Sequence, residues 1–193
     1  ELSEASAKSL ATSGGLESGG SCTSLGLFGL EEISDGAASE LGKQTNVDLI
    51  LTGIKWLSDY AAEQLSERTG GKLELDELQN QHTYYLAADG SKWKKKKEAT
   101  DAGFAVKEIE KVTKELSETA LVSLARFQGE ISLLGLKKMP LQAARAFGLR
   151  PKKYGQVILS TKIKLNEIEA KWLNLLSSRG HTNLNAAIHK QLP

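Results

Sequence analysis

The stretch SLGLFGLEEISDGAASELG (residues 24–42) has a near copy 24 residues further along, DLILTGIKWLSDYAAEQLS (residues 48–66). Aliphatic residues, an alanine pair, one glycine and a Ser-Asp pair coincide in the two copies. Similar segments at a fixed period are typical of proteins built from stacked units. The two copies therefore decide the fold that the sequence predicts.

Further copies of the pattern follow along the chain. A third unit opens with Leu73, Leu75 and Leu78. The pattern returns with the same spacing between residues 131 and 147, loosens between 157 and 173, and is halved at residues 2–10 and 116–124. Copies in one register are much stronger evidence than a single apolar alternation, which any strand can show.

Each unit encodes a strand, a turn and a helix. The LxL alternation predicts a short strand with two side chains on one face. Glycine supplies the turn, and Ser-Asp or Ser-Glu ahead of an alanine pair predicts a capped helix start. Since one unit cannot bury its apolar face alone, we expect an α/β fold of parallel strands and adjacent helices. Leu25, Leu49 and Leu73 should then lie in one column.

The two copies and ISLLGLKKMPLQAARAFG (residues 131–148) resemble bacterial leucine-rich repeats, of the kind frequent in predicted planctomycete proteins. The segment ATDAGF (residues 99–104) is similar to the TDAGL phrase that opens the convex helix of related repeats. The resemblance implies a leucine-rich-repeat solenoid, with a parallel sheet on the concave face and helices on the convex face. The alternative is an ordinary α/β domain whose units are similar by chance or by old duplication.

The chain departs from the general leucine-rich pattern at one position of each unit. Leu30, Ile54, Leu78 and Leu136 stand where Asn or Cys is usual. We therefore expect hydrophobic packing in place of the usual side-chain ladder at the turns.

The whole chain, residues 1–193, is interpreted as one repeat domain. Its parts are a partial repeat with a small-residue loop (1–23), repeats (24–78), an insertion (79–98), more repeats (99–175) and a C-terminal cap (176–193). The chain begins at Glu1 with what resembles the second half of a repeat, so we expect a longer parent protein whose N-terminal signal would not be visible.

Composition argues against several functional classes. The formal net charge is +1, so no global field attracts nucleic acid or an anionic membrane. No run of about 18 apolar residues could form a transmembrane helix. The single cysteine, Cys22, favours a reducing compartment such as the cytoplasm.

Alternation along the strands predicts an open sheet surface that could bind a partner protein. If Leu49 and Leu51 face the core, their neighbours face outward, and the same parity applies to every copy. The predicted partner-binding residues are Phe28, Ile50, Thr52, Glu74, Asp76, Leu134, Ile158 and Ser160, with Gly26 and Ser132 in the same rows. Leucine-rich repeats typically bind partners on this face. The alternative is that the insertion or a terminal arm covers these residues.

A basic segment in the insertion is a second candidate site. Five lysines surround one tryptophan in the segment Lys92, Trp93, Lys94, Lys95, Lys96 and Lys97. Lysines beside an aromatic ring can contact phosphates and stack on a base, or lie at an anionic lipid surface. The near-zero net charge favours the plainer interpretation, a solvated loop or hairpin end.

No catalytic or metal-binding motif is present. His82, His181 and His189 lack an HExxH setting or paired cysteines, and no GxSxG motif occurs. Asp35 and Asp59 recur at the same point of each unit, which indicates helix capping rather than paired catalytic carboxylates. The sequence thus predicts a non-catalytic protein-binding module without cofactor or metal. The alternatives are a nucleic-acid or anionic-surface adaptor, or the recognition part of a larger enzyme.

Overall fold

A computed structural model of the chain describes residues 5–7, 9, 24–160 and 162–178. The strands are β1 (Ser24–Gly26), β2 (Asp48–Ile50), β3 (Thr69–Glu74), β4 (Gln81–Ala87), β5 (Lys92–Trp93), β6 (Ile109–Glu115), β7 (Gln128–Leu133) and β8 (Val157–Leu159). The helices are α1 (Asp35–Gly42), α2 (Asp59–Ser66), α3 (Lys96–Asp101), α4 (Glu118–Leu124), α5 (Leu141–Gly148) and α6 (Glu167–Ser178), with a 3₁₀ turn at Val106–Glu108. Residues 5–7 are also helical.

Among the described residues, the main sheet has five parallel strands in the order β1-β2-β3-β7-β8 and does not close into a barrel. Leu49 pairs with Leu25 on one side and with Leu73 on the other. The column continues as Leu73 pairs with Ile131 and Ile131 with Val157. The α/β class and the leucine column predicted from the sequence are therefore present.

One face of this sheet packs against a row of helices. Helices α1, α2, α4, α5 and α6 each contact the next one. The alanine pairs of α1, α2 and α5 are buried together with the strand leucines. The small alanine side chains let each helix lie close to the sheet. Leu73, which is 0% exposed, represents the core, and burying one such side chain contributes about 1.5–3 kcal/mol.

The helix starts are capped as the sequence predicts. Ser58 accepts a hydrogen bond from the N–H of Ala61 at 2.9 Å, and Ser117 accepts one from the N–H of Ala120 at 2.9 Å. Each hydroxyl also donates to the acidic residue that opens the neighbouring helix in the row, Ser58 to Asp35 of α1 and Ser117 to Asp59 of α2. The two aspartates thus join neighbouring helix starts.

The glycines after the strands have two different roles. Gly53 and Gly135 lie in the predicted turns, whereas Gly29 lies in a bend and is the only one of the three with a positive φ, 78°. A Cβ at Gly53 would lie 2.7 Å from the carbonyl oxygen of Leu30, and one at Gly135 would lie 2.5 Å from that of Leu78. Close stacking of neighbouring loops therefore excludes a side chain at Gly53 and Gly135.

A second, antiparallel sheet interrupts the main one, in the order β5-β4-β6. Strands β4 and β6 pair without a break from Gln81 opposite Glu115 to Ala87 opposite Ile109. Helix α3 contacts this sheet and buries Ala99. The interruption therefore spans residues 81–115 rather than 79–98, because β4 takes its partner strand from residues assigned to a repeat. The ATDAGF segment belongs to it as well.

The chain leaves the main sheet to form the second sheet and returns to the main sheet at the same place. The N–H of Leu116 donates to the carbonyl of Asn80 at 2.9 Å. Helix α4, predicted as an isolated half-unit, thus supplies the helix that follows β3. The Asn80 side chain joins this point to the next loop, accepting from the N–H groups of Lys137 and Lys138 at 3.0 and 2.8 Å.

Two buried arginines hold the loops that lead into the strands of the main sheet. Arg68 is 1% exposed and donates to the carbonyls of Val47 at 2.6 Å and Gln44 at 3.1 Å. Arg150, also 1% exposed, donates to the carbonyls of Phe127 at 2.5 Å and Gly129 at 2.7 Å. Burial lowers the pKa of each to about 10, so both remain charged at neutral pH. Sequence analysis did not identify either residue.

We expect Arg68→Lys to destabilise the fold. A lysine cannot reproduce the two hydrogen bonds to separate carbonyls, so the free energy of unfolding should fall by about 1.5–3 kcal/mol. Urea unfolding followed by circular dichroism measures this. The control is Arg126→Lys, an exposed arginine two residues after α4, which should change stability by less than about 0.5 kcal/mol. Equal losses in the two variants would contradict the role of Arg68.

We also expect the main sheet to fold without the second sheet. Deleting residues 81–115 and joining Asn80 to Leu116 restores the direct connection found after β1 and β2. The shortened chain should unfold cooperatively and retain the parallel sheet, which two-dimensional NMR can verify. A molten or unfolded product would show that the second sheet is part of the folding core.

Candidate functional site

The side of the main sheet away from the helices carries the predicted partner-binding residues. We call this the open face; its outward positions are residues 24, 26 and 28 and their partners on β2, β3, β7 and β8. Phe28 is 71% exposed and Leu134 is 41% exposed. The other predicted residues that remain half-buried on this face are Ile50, Thr52, Glu74, Asp76 and Ile158.

Two predicted surface serines are buried instead. Ser132 is 2% exposed because its hydroxyl turns to donate to Asp76 on the neighbouring unit. Ser160 is 9% exposed, and its oxygen accepts from the N–H of Lys162 at 3.1 Å. The prediction that Ser132 and Ser160 are open to a partner is therefore wrong, since both hydroxyls form hydrogen bonds within the chain.

The centre of the open face is acidic. The Lys72 ammonium lies 2.9 Å from Glu74 and 3.7 Å from Glu130, and its hydrogen bond to Glu74 raises the pKa of Lys72. Asp48 accepts from the N–H of Lys72 at 2.8 Å. With Asp76, four carboxylates surround one lysine.

Sequence analysis had placed only two of these charged residues on the face. The same strand parity, extended by one step towards the start of β2, β3 and β7, would have found Asp48, Lys72 and Glu130.

Apolar residues lie on both sides of this acidic centre. Phe28 and Ile50 are on the β1–β2 side, and Leu134 and Ile158 are on the β7–β8 side. The Phe28 ring covers Gly26, where a Cβ would approach the ring to 2.7 Å. The open face can therefore offer apolar contacts at two ends and carboxylates between them.

The basic segment of the insertion is less free than its sequence indicates. Lys92 lies 3.0 Å from Glu32, and Lys95 lies 3.8 Å from Glu98. The Trp93 indole N–H donates to Ser91 at 2.9 Å.

The rest of the segment is divided between an aromatic contact and the surface. The Trp93 ring is half-buried, 6.4 Å from that of Phe104, and all five lysines of the segment are exposed. Two of these lysines thus already have a carboxylate partner, and the indole is only partly open to a base.

A buried charge cluster attaches the second sheet to the main one. Glu32 is 7% exposed, and its Oε2 lies 3.0 Å from the ammonium groups of both Lys92 and Lys114. Burial alone would raise the pKa of Glu32, but the two lysines outweigh it and the pKa is lowered. The Lys114 ammonium also lies 4.3 Å from the ring centre of Trp56, whose indole N–H donates to the backbone carbonyl of Glu115 at 2.9 Å. Sequence reasoning missed this cluster because its members are far apart in the chain.

His82 belongs to the same junction. It is 7% exposed, and its ring centre is 5.6 Å from that of Tyr84. Burial lowers the pKa of His82, so the ring is neutral at pH 7. We interpret it as a packed aromatic side chain.

Other candidate chemistry has little support among the residues that the structure describes. Within that part of the chain, no group of three His, Cys, Asp or Glu residues could hold a metal ion, and no helix could span a membrane. Cys22, His181, His189 and the proposed cap after residue 178 lie outside the described residues. No protein family model, curated protein or solved structure matches this chain.

Glu32→Gln should loosen the second sheet. The neutral amide loses both ion pairs, and because the lysines are partly exposed we expect a cost of about 1–2 kcal/mol. Amide hydrogen exchange in β4 and β6 should accelerate. Glu110→Gln, an exposed position on β6, is the matched control and should have little effect.

The effect of Glu32 should depend on pH with a defined sign. Because its pKa is lower when folded, its stabilisation is present above the unfolded value of about 4.3 and is lost as the pH falls through the folded pKa. The stability difference between the wild type and Glu32→Gln should shrink below about pH 4. A difference that stays constant between pH 7 and pH 3 would contradict this assignment.

Proposed function

We propose that this chain is a short leucine-rich-repeat solenoid that binds another protein on its open face and catalyses no reaction. The in-register column through Leu25, Leu49 and Leu73 supports the solenoid, together with the hydrogen bonds between neighbouring helix starts. The sequence resemblance supports the same architecture.

One observation carries the binding proposal. Phe28 and Leu134 are 71% and 41% exposed on the face that also holds the carboxylates. Large exposed apolar side chains grouped with polar residues mark contact sites more often than scattered ones do. Burying a fully exposed side chain of this size is worth about 1.5–3 kcal/mol, so Phe28 can provide most of that amount and the less exposed Leu134 a smaller share.

The charge distribution defines the kind of partner. Asp48, Glu74, Asp76 and Glu130 outnumber Lys72, so the centre favours a cationic side chain. Charge complementarity of this kind contributes orientation and association rate more than affinity. The proposed partner therefore presents a lysine or arginine flanked by apolar side chains.

One observation argues against a competing function. The anionic-surface alternative loses support because Lys92 and Lys95 already pair with glutamates.

Selecting a randomised peptide library on the immobilised protein tests this proposal. The enriched peptides should contain a basic residue between apolar ones. Phe28→Asp with Leu134→Asp should weaken their binding by about tenfold or more, which corresponds to about 1.4 kcal/mol. Fluorescence anisotropy measures the affinities.

The control is Tyr60→Asp with Leu149→Asp, which alters two similarly exposed residues, 48% and 46%, outside the open face. This variant should bind within about twofold of the wild type. Enriched peptides that bind both double variants equally would refute the open face as the binding site.

A further inference from the structure

Four exposed lysines lie in the two loops that follow β7 and β8, at the C-terminal ends of these strands. The loops after β7 and β8 run side by side, with Lys138 and Lys164 as parallel bridge partners. The N–H of Lys164 donates to the carbonyl of Lys137 at 2.8 Å. Two loops, 26 residues apart in the chain, thus carry the four lysines side by side: Lys137, Lys138, Lys162 and Lys164.

None of these four lysines forms an ion pair with the described residues. One carboxylate, Glu169, lines the cleft beside them, and it accepts from the N–H of Asn166 at 2.8 Å. Because the four lysines of the two loops outnumber this carboxylate, they create a local positive field that the net charge of +1 conceals.

A cleft of about 410 Å³ opens between the two loops. Its lining consists of Lys138 and Lys164, the apolar residues Met139, Pro140 and Leu165, and the polar residues Asn166 and Glu169. A volume within the common range of about 300–1,000 Å³ can hold an organic group, and these apolar side chains favour an apolar one. A smaller cleft of about 210 Å³ adjoins it at Lys137 and Lys138.

We propose that this lysine cleft (Lys137, Lys138, Lys162 and Lys164, with Met139, Pro140 and Leu165) binds an acidic protein segment. The segment places an apolar side chain between Lys138 and Lys164, and its carboxylates contact the four ammonium groups. The carboxylates of the open face repel the same segment, which directs it to the cleft.

A protein segment fits the cleft better than a nucleic acid does. Neither cleft is lined by an aromatic side chain on which a base could stack. Pro140 and Leu165, which are partly exposed, supply apolar contacts that a phosphodiester backbone would not use. The charged rim and apolar floor match an acidic peptide with one aliphatic residue.

Fluorescence anisotropy with three labelled probes tests the proposal. The probes are a heptapeptide of glutamates with a central leucine, the same peptide with a central serine, and heptathymidylate. The leucine peptide should bind the full chain, with an affinity that falls as salt rises. The serine peptide should bind about fivefold or more weakly, because it leaves the apolar floor uncovered.

The double substitution Lys138→Gln with Lys164→Gln should weaken binding of the leucine peptide by about tenfold or more. The matched control is Lys94→Gln with Lys97→Gln, which removes two exposed lysines elsewhere and should change the affinity by less than about twofold. Phe28→Asp, on the open face, should also leave the affinity unchanged, so the two proposals can fail separately. Melting temperatures confirm that each variant is folded.

Four results would overturn the proposal. They are no binding of the leucine peptide by the wild type, equal binding of the leucine and serine peptides, equal losses in the two double-lysine variants, and heptathymidylate binding at least as tight as that of the leucine peptide. The last result would assign the cleft to nucleic acid instead.

Discussion

The structure depends on the parallel pairing of short strands in one register. Strands such as β1 and β2 are three residues long, and neither could bury its leucines alone. When Leu49 lies between Leu25 and Leu73, each side chain completes the apolar surroundings of the next. The burial of every unit is thus conditional on its neighbours, as in other proteins built from stacked units.

Polar contacts between units follow the same spacing as the apolar column. The Ser58–Asp35 hydrogen bond joins helix starts, Asn80 joins loops, and Arg68 reaches back to Gln44 and Val47. Such contacts satisfy backbone groups that short helices and loops would otherwise leave unpaired. They also specify which unit lies beside which, since the apolar column alone would tolerate a shift between similar strands.

The surfaces of the fold differ in charge although the chain is nearly neutral. The open face concentrates carboxylates around Lys72, whereas the lysine cleft concentrates ammonium groups around Lys138 and Lys164. The second sheet places a third charged group at its junction with the main sheet, where the Glu32 carboxylate is buried and its two lysines are partly exposed. Net charge therefore gives little information about the partners of this chain.

The sequence by itself determined the α/β class, the strand parity, the leucine column and the helix caps, because these depend on residues close together in the chain or repeated at one spacing. The same strand parity predicted that Phe28 and Leu134 face outward. Only the tertiary structure decided the limits of the second sheet, because β4 pairs with β6 across the intervening β5 and α3. It also decided the burial of Ser132, Ser160, Arg68 and Arg150, whose partners lie on neighbouring units. The sequence did not predict the lysine cleft for the same reason. Its four lysines form one site only because two loops far apart in the chain are hydrogen-bonded side by side.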